Sequence, residues 1–189
     1  MIAETLICLT DEINEFFRTK LRVTEDKVVI SPIVNLEGKP AIVGENKIFV
    51  TLLNIEKETV IRPGLAANSI NNRTSNNAAL NINLYVMAGA YFSSANYAEG
   101  LKLLSLVISF LQQKGTFTKD NTTRLPNEID KLIFEMESPG LDKLNNIWAM
   151  LGARYVPSVI YKVRMLTFDS SVTTEYRPQI GSLSNDTNA

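Results

Sequence analysis

The residues from Ala79 to Gly115 change hydrophobic period once, and that change limits the folds open to the chain. Leu80, Ile82, Leu84, Val86, Ala88, Ala90 and Phe92 alternate with Asn81, Asn83, Tyr85, Met87, Gly89 and Tyr91, which is the period of a strand. Leu101, Leu104, Ile108 and Leu111 then recur at helical spacing, and Leu103, Val107 and Phe110 widen the stripe. A long strand leading into a long apolar helix predicts the central strand and core helix of an α+β domain. Asn96, with Glu99 three residues on, predicts an asparagine-led capping box, and Gly115 predicts the helix end. Gly100, inside the helix, marks a place where another backbone can come close.

The rest of the chain supplies partners for that unit. Ile2, Leu6, Leu9, Ile13, Phe16 and Phe17 form one stripe, predicting a helix from Ile2 to Leu21 with Cys8 as a small buried hydrophobe at its edge. Lys27 to Val34 is β-rich but holds Pro32, so it reads either as an edge strand or as one ending near Ser31. Lys47 to Ile55 is a strand that can extend to Ile61, either internal or covered on both sides, with Ile48, Val50 and Leu52 on one face and Phe49, Thr51, Leu53 and Ile55 on the other. Thr116 to Glu128 is a polar connection. Asp130 to Glu137 is a strand that turns Leu132, Phe134 and Met136 inward and Glu135 and Glu137 to solvent. Ser138 and Pro139 predict the start of a helix carrying Leu141, Leu144, Ile147, Trp148 and Leu151, closed by Gly152. Ser158 to Phe168 is the last strand, with Val159, Tyr161, Val163 and Met165 on one face and Ile160, Lys162, Arg164, Leu166 and Phe168 on the other. The order α-β-β-β-α-β-α-β predicts one α+β domain over residues 1–168, a mixed, largely antiparallel sheet flanked by helices. Residues 169–189 read as an extended polar tail.

Composition narrows the function. Nineteen basic and 20 acidic residues leave a net charge of -1, which argues against a nucleic-acid binder. The chain has no histidine, so the commonest general base and metal ligand is missing. One cysteine gives neither an intrachain disulfide nor a cysteine zinc site. Phosphate-cradling, dinucleotide and nucleophile-elbow motifs are absent, so neither catalytic residues nor a cofactor is assigned. The N-terminus lacks a basic leader and carries Glu4, Asp11 and Glu12, unlike a secretory signal. No run approaches the roughly 18 apolar residues of a membrane span, so no direct membrane insertion is expected.

Two features stand apart from packing. Residues 62–78 form a long Asn- and Ser-rich connection holding Arg62, Asn71, Asn72 and Arg73, read either as a surface loop or as a segment that orders against a neighbouring subunit. Lys162 and Arg164 share one strand face, as do Asn81 and Asn83, which gives either ordinary polar exposure or a polar sheet face pressed on a partner. Tyr176 and Arg177 are the matching candidates in the tail.

Several stretches together resemble a known family. They are MIAETLICLTDEIN at the start, FVTLLNIEKE from Phe49, LNINLYV from Leu80, NYAEGLKLLS from Asn96 and NNIWAMLGARYVPSVIYKVRM from Asn145. Their order, with Trp148, Leu151-Gly152, Tyr155, Pro157-Ser158 and Tyr161 to Arg164, resembles the cap or tail-terminator proteins of phage-tail-like contractile injection systems. The resemblance implies a tail-terminator fold and a structural role without catalysis. It implies a homo-hexameric ring on the inner tube and sheath, assembled in the bacterial cytoplasm on a particle that is later released or membrane-anchored. Rival readings are another tube-to-sheath adaptor, a carboxylate enzyme without histidine, and a monomeric binding module.

Overall fold

A helix, α1 (Ile2–Leu21), precedes the strands β1 (Val28–Ile30), β2 (Lys47–Lys57) and β3 (Ile82–Tyr91). A single 3₁₀ turn then leads into α2 (Tyr97–Gln113), followed by β4 (Thr116–Thr118), β5 (Ile129–Glu137), α3 (Leu141–Met150) and β6 (Ser158–Thr167). The structure, a computed structural model, describes residues 1–58 and 81–167. Among these, six strands form one sheet in the order β1-β2-β3-β6-β5-β4. Only β1 and β2 run parallel; the other neighbours are antiparallel. The predicted α+β class, with a mixed and largely antiparallel sheet, is the one observed.

Residues 81–115 sit at the centre as their pattern requires, and Leu80, expected to begin the strand, lies outside the described residues. Strand β3 lies between β2 and β6. Its Leu84, Val86, Ala88 and Ala90 join the main core, which α1 and α2 close from one side through residues such as Ile13, Phe17, Leu103 and Val107. The opposite sheet face has a smaller core of Phe49, Met87 and Ile160. Trp148 of α3 covers it, together with Ile33 and Ile42 from the segment between β1 and β2.

The exposed border of β1 is closed by a side chain. Asn14 of α1 donates from Nδ2 to the Val28 carbonyl and accepts the Val28 N–H at Oδ1, both at 2.9 Å. This pairs one residue of an edge strand that would otherwise invite another chain. Asn14→Ala leaves both buried backbone groups unpaired and is expected to cost about 2 kcal/mol. The check is a lower urea midpoint at unchanged slope.

Several local expectations are corrected. Asn96 occupies the N-cap but makes no side-chain cap bond, because the preceding turn has bent its backbone to ψ 17°. Gly115 is not left-handed; Lys114 closes the helix by donating to the Phe110 carbonyl. At Gly100 the close neighbour is a ring rather than a backbone: an added Cβ would lie 2.8 Å from Phe92 Cγ. Residues 116–118 form a strand, β4, too short for alternation to reveal. Met136 lies beyond the cover of β4 and is exposed instead of turned into the core. Helix α3 begins with Gly140 as N-cap, two residues later than Ser138, since the chain stays extended until Gly140 (ψ 161°). A register shift between Leu52 and Asn54 moves Ile55 opposite Leu84, onto the face of Ile48 and Val50.

Candidate functional site

The same register shift builds the most structured polar surface of the chain. Without it, Glu56 would point into the main core. With it, Glu56 pairs with Asn83, and Asn83 pairs with Arg164 on β6. One step along, Asn54, Tyr85, Lys162 and Glu135 form a second row across β2, β3, β6 and β5. The two rows occupy the half of the sheet face that the Trp148 layer leaves uncovered.

Ion pairs knit the rows together. Arg164 donates from Nε to Glu58 at 3.0 Å and from Nη1 to Glu135 at 3.3 Å, joining groups carried by three chain segments. The Tyr85 hydroxyl donates to Glu56 at 2.9 Å. Burial, and then that bond to Glu56, push the Tyr85 phenol upward, so it remains a donor at neutral pH. Lys162 lies 3.9 Å from Glu56 and 5.7 Å from the centre of the Tyr85 ring.

The charges are layered. The Lys162 and Arg164 side chains are 23% and 19% exposed, whereas Glu56 and Glu135 are 52% and 48% exposed. The cations are therefore recessed and Glu56 and Glu135 stand outward, whereas the Glu58 side chain is 9% exposed. Asn83 is 2% exposed, and its Oδ1 accepts no hydrogen bond. A buried acceptor without a donor is uncommon enough to call for a cause.

Of the residues singled out from sequence, Asn83, Lys162 and Arg164 meet here. Asn81 adjoins them, its carbonyl accepting the Glu58 N–H at 2.9 Å. Arg62, Asn71, Asn72, Arg73, Tyr176 and Arg177 lie outside the described residues, as do the loop 62–78 and the tail 169–189. Sequence reading missed Glu56, Glu58, Tyr85 and Glu135 as members. Tyr85 was legible from the alternation of β3. Glu135 reads as a solvated carboxylate but is held by Arg164.

The motif around Trp148 is structural. The Trp148 ring is buried edge-on to Tyr155 at 5.6 Å, Gly152 turns the chain at φ 64°, and the Pro157 carbonyl accepts the Ala90 N–H. Above this layer, Leu36, Val43, Leu141, Met150 and Tyr155 remain exposed.

Among the described residues, no group of three or more Cys, Asp or Glu is placed to hold a metal ion, and no helix is long and apolar enough to cross a membrane. Cys8 is buried, and burial, followed by the nearby Glu12, pushes its thiol up to about 11. Thiolate fraction governs reactivity, so Cys8 should react about 100-fold more slowly than an ordinary thiol at pH 8, as read by a chromogenic disulfide reagent. The raised folded value also means that the neutral thiol favours the fold. That stability is complete below the unfolded value and lost as pH rises from about 9 through about 11. Cys8→Ala should flatten this alkaline loss.

Comparison with known proteins bears on the family and the fold. The sequence profile described as the Pvc16 N-terminal domain matches residues 6–182. A search of curated proteins finds no significant match. Two solved structures share the fold. The sheath/tube terminator of a PVC extracellular contractile injection system, in its extended state, has a TM-score of 0.60 at 14% identity, covering 100% of this chain and 64% of that one. The tube-terminating cap of the anti-feeding prophage has a TM-score of 0.51 at 18% identity, covering 94% and 59%. The chain thus spans roughly three fifths of the length of these structural relatives.

Proposed function

The chain belongs to the Pvc16 N-terminal domain family, and from that premise we propose that it is a structural cap closing the distal end of the inner tube and sheath of a contractile injection particle. The observation that carries this reading is the family match across nearly the whole chain, joined to a fold shared with two tube terminators. Its partners are then the tube and sheath proteins and further copies of itself in a six-fold ring. It acts without catalysis, and the ring is added in the bacterial cytoplasm before any release.

The physical problem of a cap suits this sheet. A growing tube presents a surface that recruits the next copy. A terminator must match that surface on one side and present no copy of it on the other. A ring forms when a head-to-tail contact closes after a fixed rotation. The two-sided sheet offers unlike surfaces for these tasks, helices α1 and α2 on one face and the ion-paired rows on the other. Label placed on this chain in intact particles should mark one end only, opposite the baseplate. Label at the baseplate would favour the adaptor reading, and label along the shaft would contradict both.

A further inference from the structure

Among the described residues, Leu36 is the most exposed large hydrophobic side chain. The backbone that carries it is fixed. Asn35 Oδ1 accepts the N–H groups of Glu37 at 3.1 Å and Lys39 at 2.9 Å. The Lys39 carbonyl accepts the Asn35 N–H at 2.8 Å, and the Asn35 carbonyl accepts the Gly38 N–H at 3.0 Å, with Gly38 at φ 73°. A bridge between Val34 and Pro40 closes the base of the turn. A leucine held out on a turn ordered in advance loses little freedom when another surface covers it.

A second apolar outcrop lies at the start of α3. Leu141, its first residue, is exposed, and Leu144, one turn on, is only partly covered. The two outcrops belong to opposite borders of the sheet. The segment between β1 and β2 leaves from β1, one border strand, whereas α3 follows directly on β5, which the short β4 alone separates from the other border. Trp148 meets Ile33 and Ile42 of that segment, and Leu141 lies seven residues, about 10 Å of helix, away from Trp148. Copies set side by side in a ring bring one border of each against the opposite border of the next.

The charges beside the two leucines are complementary. Glu37 and Lys39 follow Leu36, and Asp142 and Lys143 follow Leu141. All four side chains are exposed and make no ion pair among the described residues. We propose that the turn 35–39 of one copy docks on the start of α3 of the next, with Leu36 covering Leu141 and Leu144, Lys39 facing Asp142 and Glu37 facing Lys143. This contact rests on the ring reading above and gives it a direction: each copy presents its turn to one neighbour and its helix to the other. The leucines supply the buried centre, and the charges at the rim set the register.

Leu36 and Leu141 are exposed, so their substitution leaves the fold intact, which equal urea midpoints check. In the full-length chain, Leu36→Asp should raise the concentration for half-assembly about tenfold in native mass spectrometry, equivalent to about 1.4 kcal/mol. Lys39→Glu should weaken assembly in the same direction, and adding Asp142→Lys to it should restore the ring. Leu36→Asp chains mixed with Leu141→Asp chains retain one sound contact per pair and should stop at two copies. Leu36→Cys chains mixed with Leu141→Cys chains and oxidised should cross-link several-fold above either variant alone, both as free chains and within particles, while buried Cys8 reacts slowly. Assembly indifferent to Leu36→Asp, or a charge swap that fails to restore it, would overturn the contact and leave the cap reading intact. So would a disulfide formed only within one chain of the doubly substituted protein, or Leu36→Cys captured by a tube or sheath chain in place of Leu141→Cys. A chain that stays monomeric at every concentration, with no affinity for tube or sheath, would overturn the ring reading and this contact together.

Discussion

Gly89→Ala is expected to lower the stability of the chain by about 3 kcal/mol, the upper end for an overpacked core. Gly89 lies in the central strand, opposite Phe49 in register, and Phe49 is fully buried. A Cβ at Gly89 would come within 2.3 Å of Phe49 Cζ. The ring has no free space to retreat into, with Met87, Trp148 and Ile160 in the same cluster. Either the ring leaves its position or β2 and β3 separate, and both expose the smaller core. Phe49→Leu removes the obstructing ring edge. The double variant should therefore recover much of the loss, giving a coupling that two independent sites would not show. Equilibrium unfolding of the four proteins in the cycle is the measurement. A single Gly89→Ala variant as stable as the parent would mean that the ring is not packed where the structure places it.

Trp148→Ala should cost about 4 kcal/mol, in the range for removing a buried aromatic. Trp148 is the one fully buried residue of α3; Leu144 and Ile147 are only partly covered. Its loss removes the anchor of that helix from Phe49, Met87 and Ile160. Hydrogen exchange should show α3 losing protection first, while α1, α2 and β3 keep theirs, since the main core lies on the opposite face. Uniform loss of protection across the chain would contradict the division into two cores.

The pattern of the 79–115 stretch was legible because one alternating strand and one helical stripe each face a single core. The helix from Ile2 to Leu21, the edge position of β1 and the turn at Gly152 followed from equally local signals. What escaped depends on the meeting of distant segments. Asn14 looks like a surface polar residue on a helix; its role appears only once β1 lies alongside. The register shift at Leu52 and Asn54 leaves no periodic trace, yet it decides that Glu56 joins the polar rows. Met136 obeys the alternation of β5 but lacks a neighbour long enough to cover it. The candidate site was half legible for the same reason. Lys162, Arg164 and Asn83 could be assigned to faces from spacing, whereas their carboxylate partners come from other strands.

Trp148, Gly152, Tyr155 and Pro157, which support the resemblance, hold α3 and the start of β6 in place. Trp148 is buried among them, whereas Tyr155 is exposed. The charged residues of the same stretch, Lys162 and Arg164, are held in ion pairs with Glu56 and Glu58.

The central claim is that this chain ends a growing tube and sheath. Electron microscopy of particles assembled without it, set beside particles assembled with it, tests that claim most directly. The account predicts tubes and sheaths of uncontrolled length, or particles that come apart at the end away from the baseplate. Particles of normal length with both ends intact would contradict it.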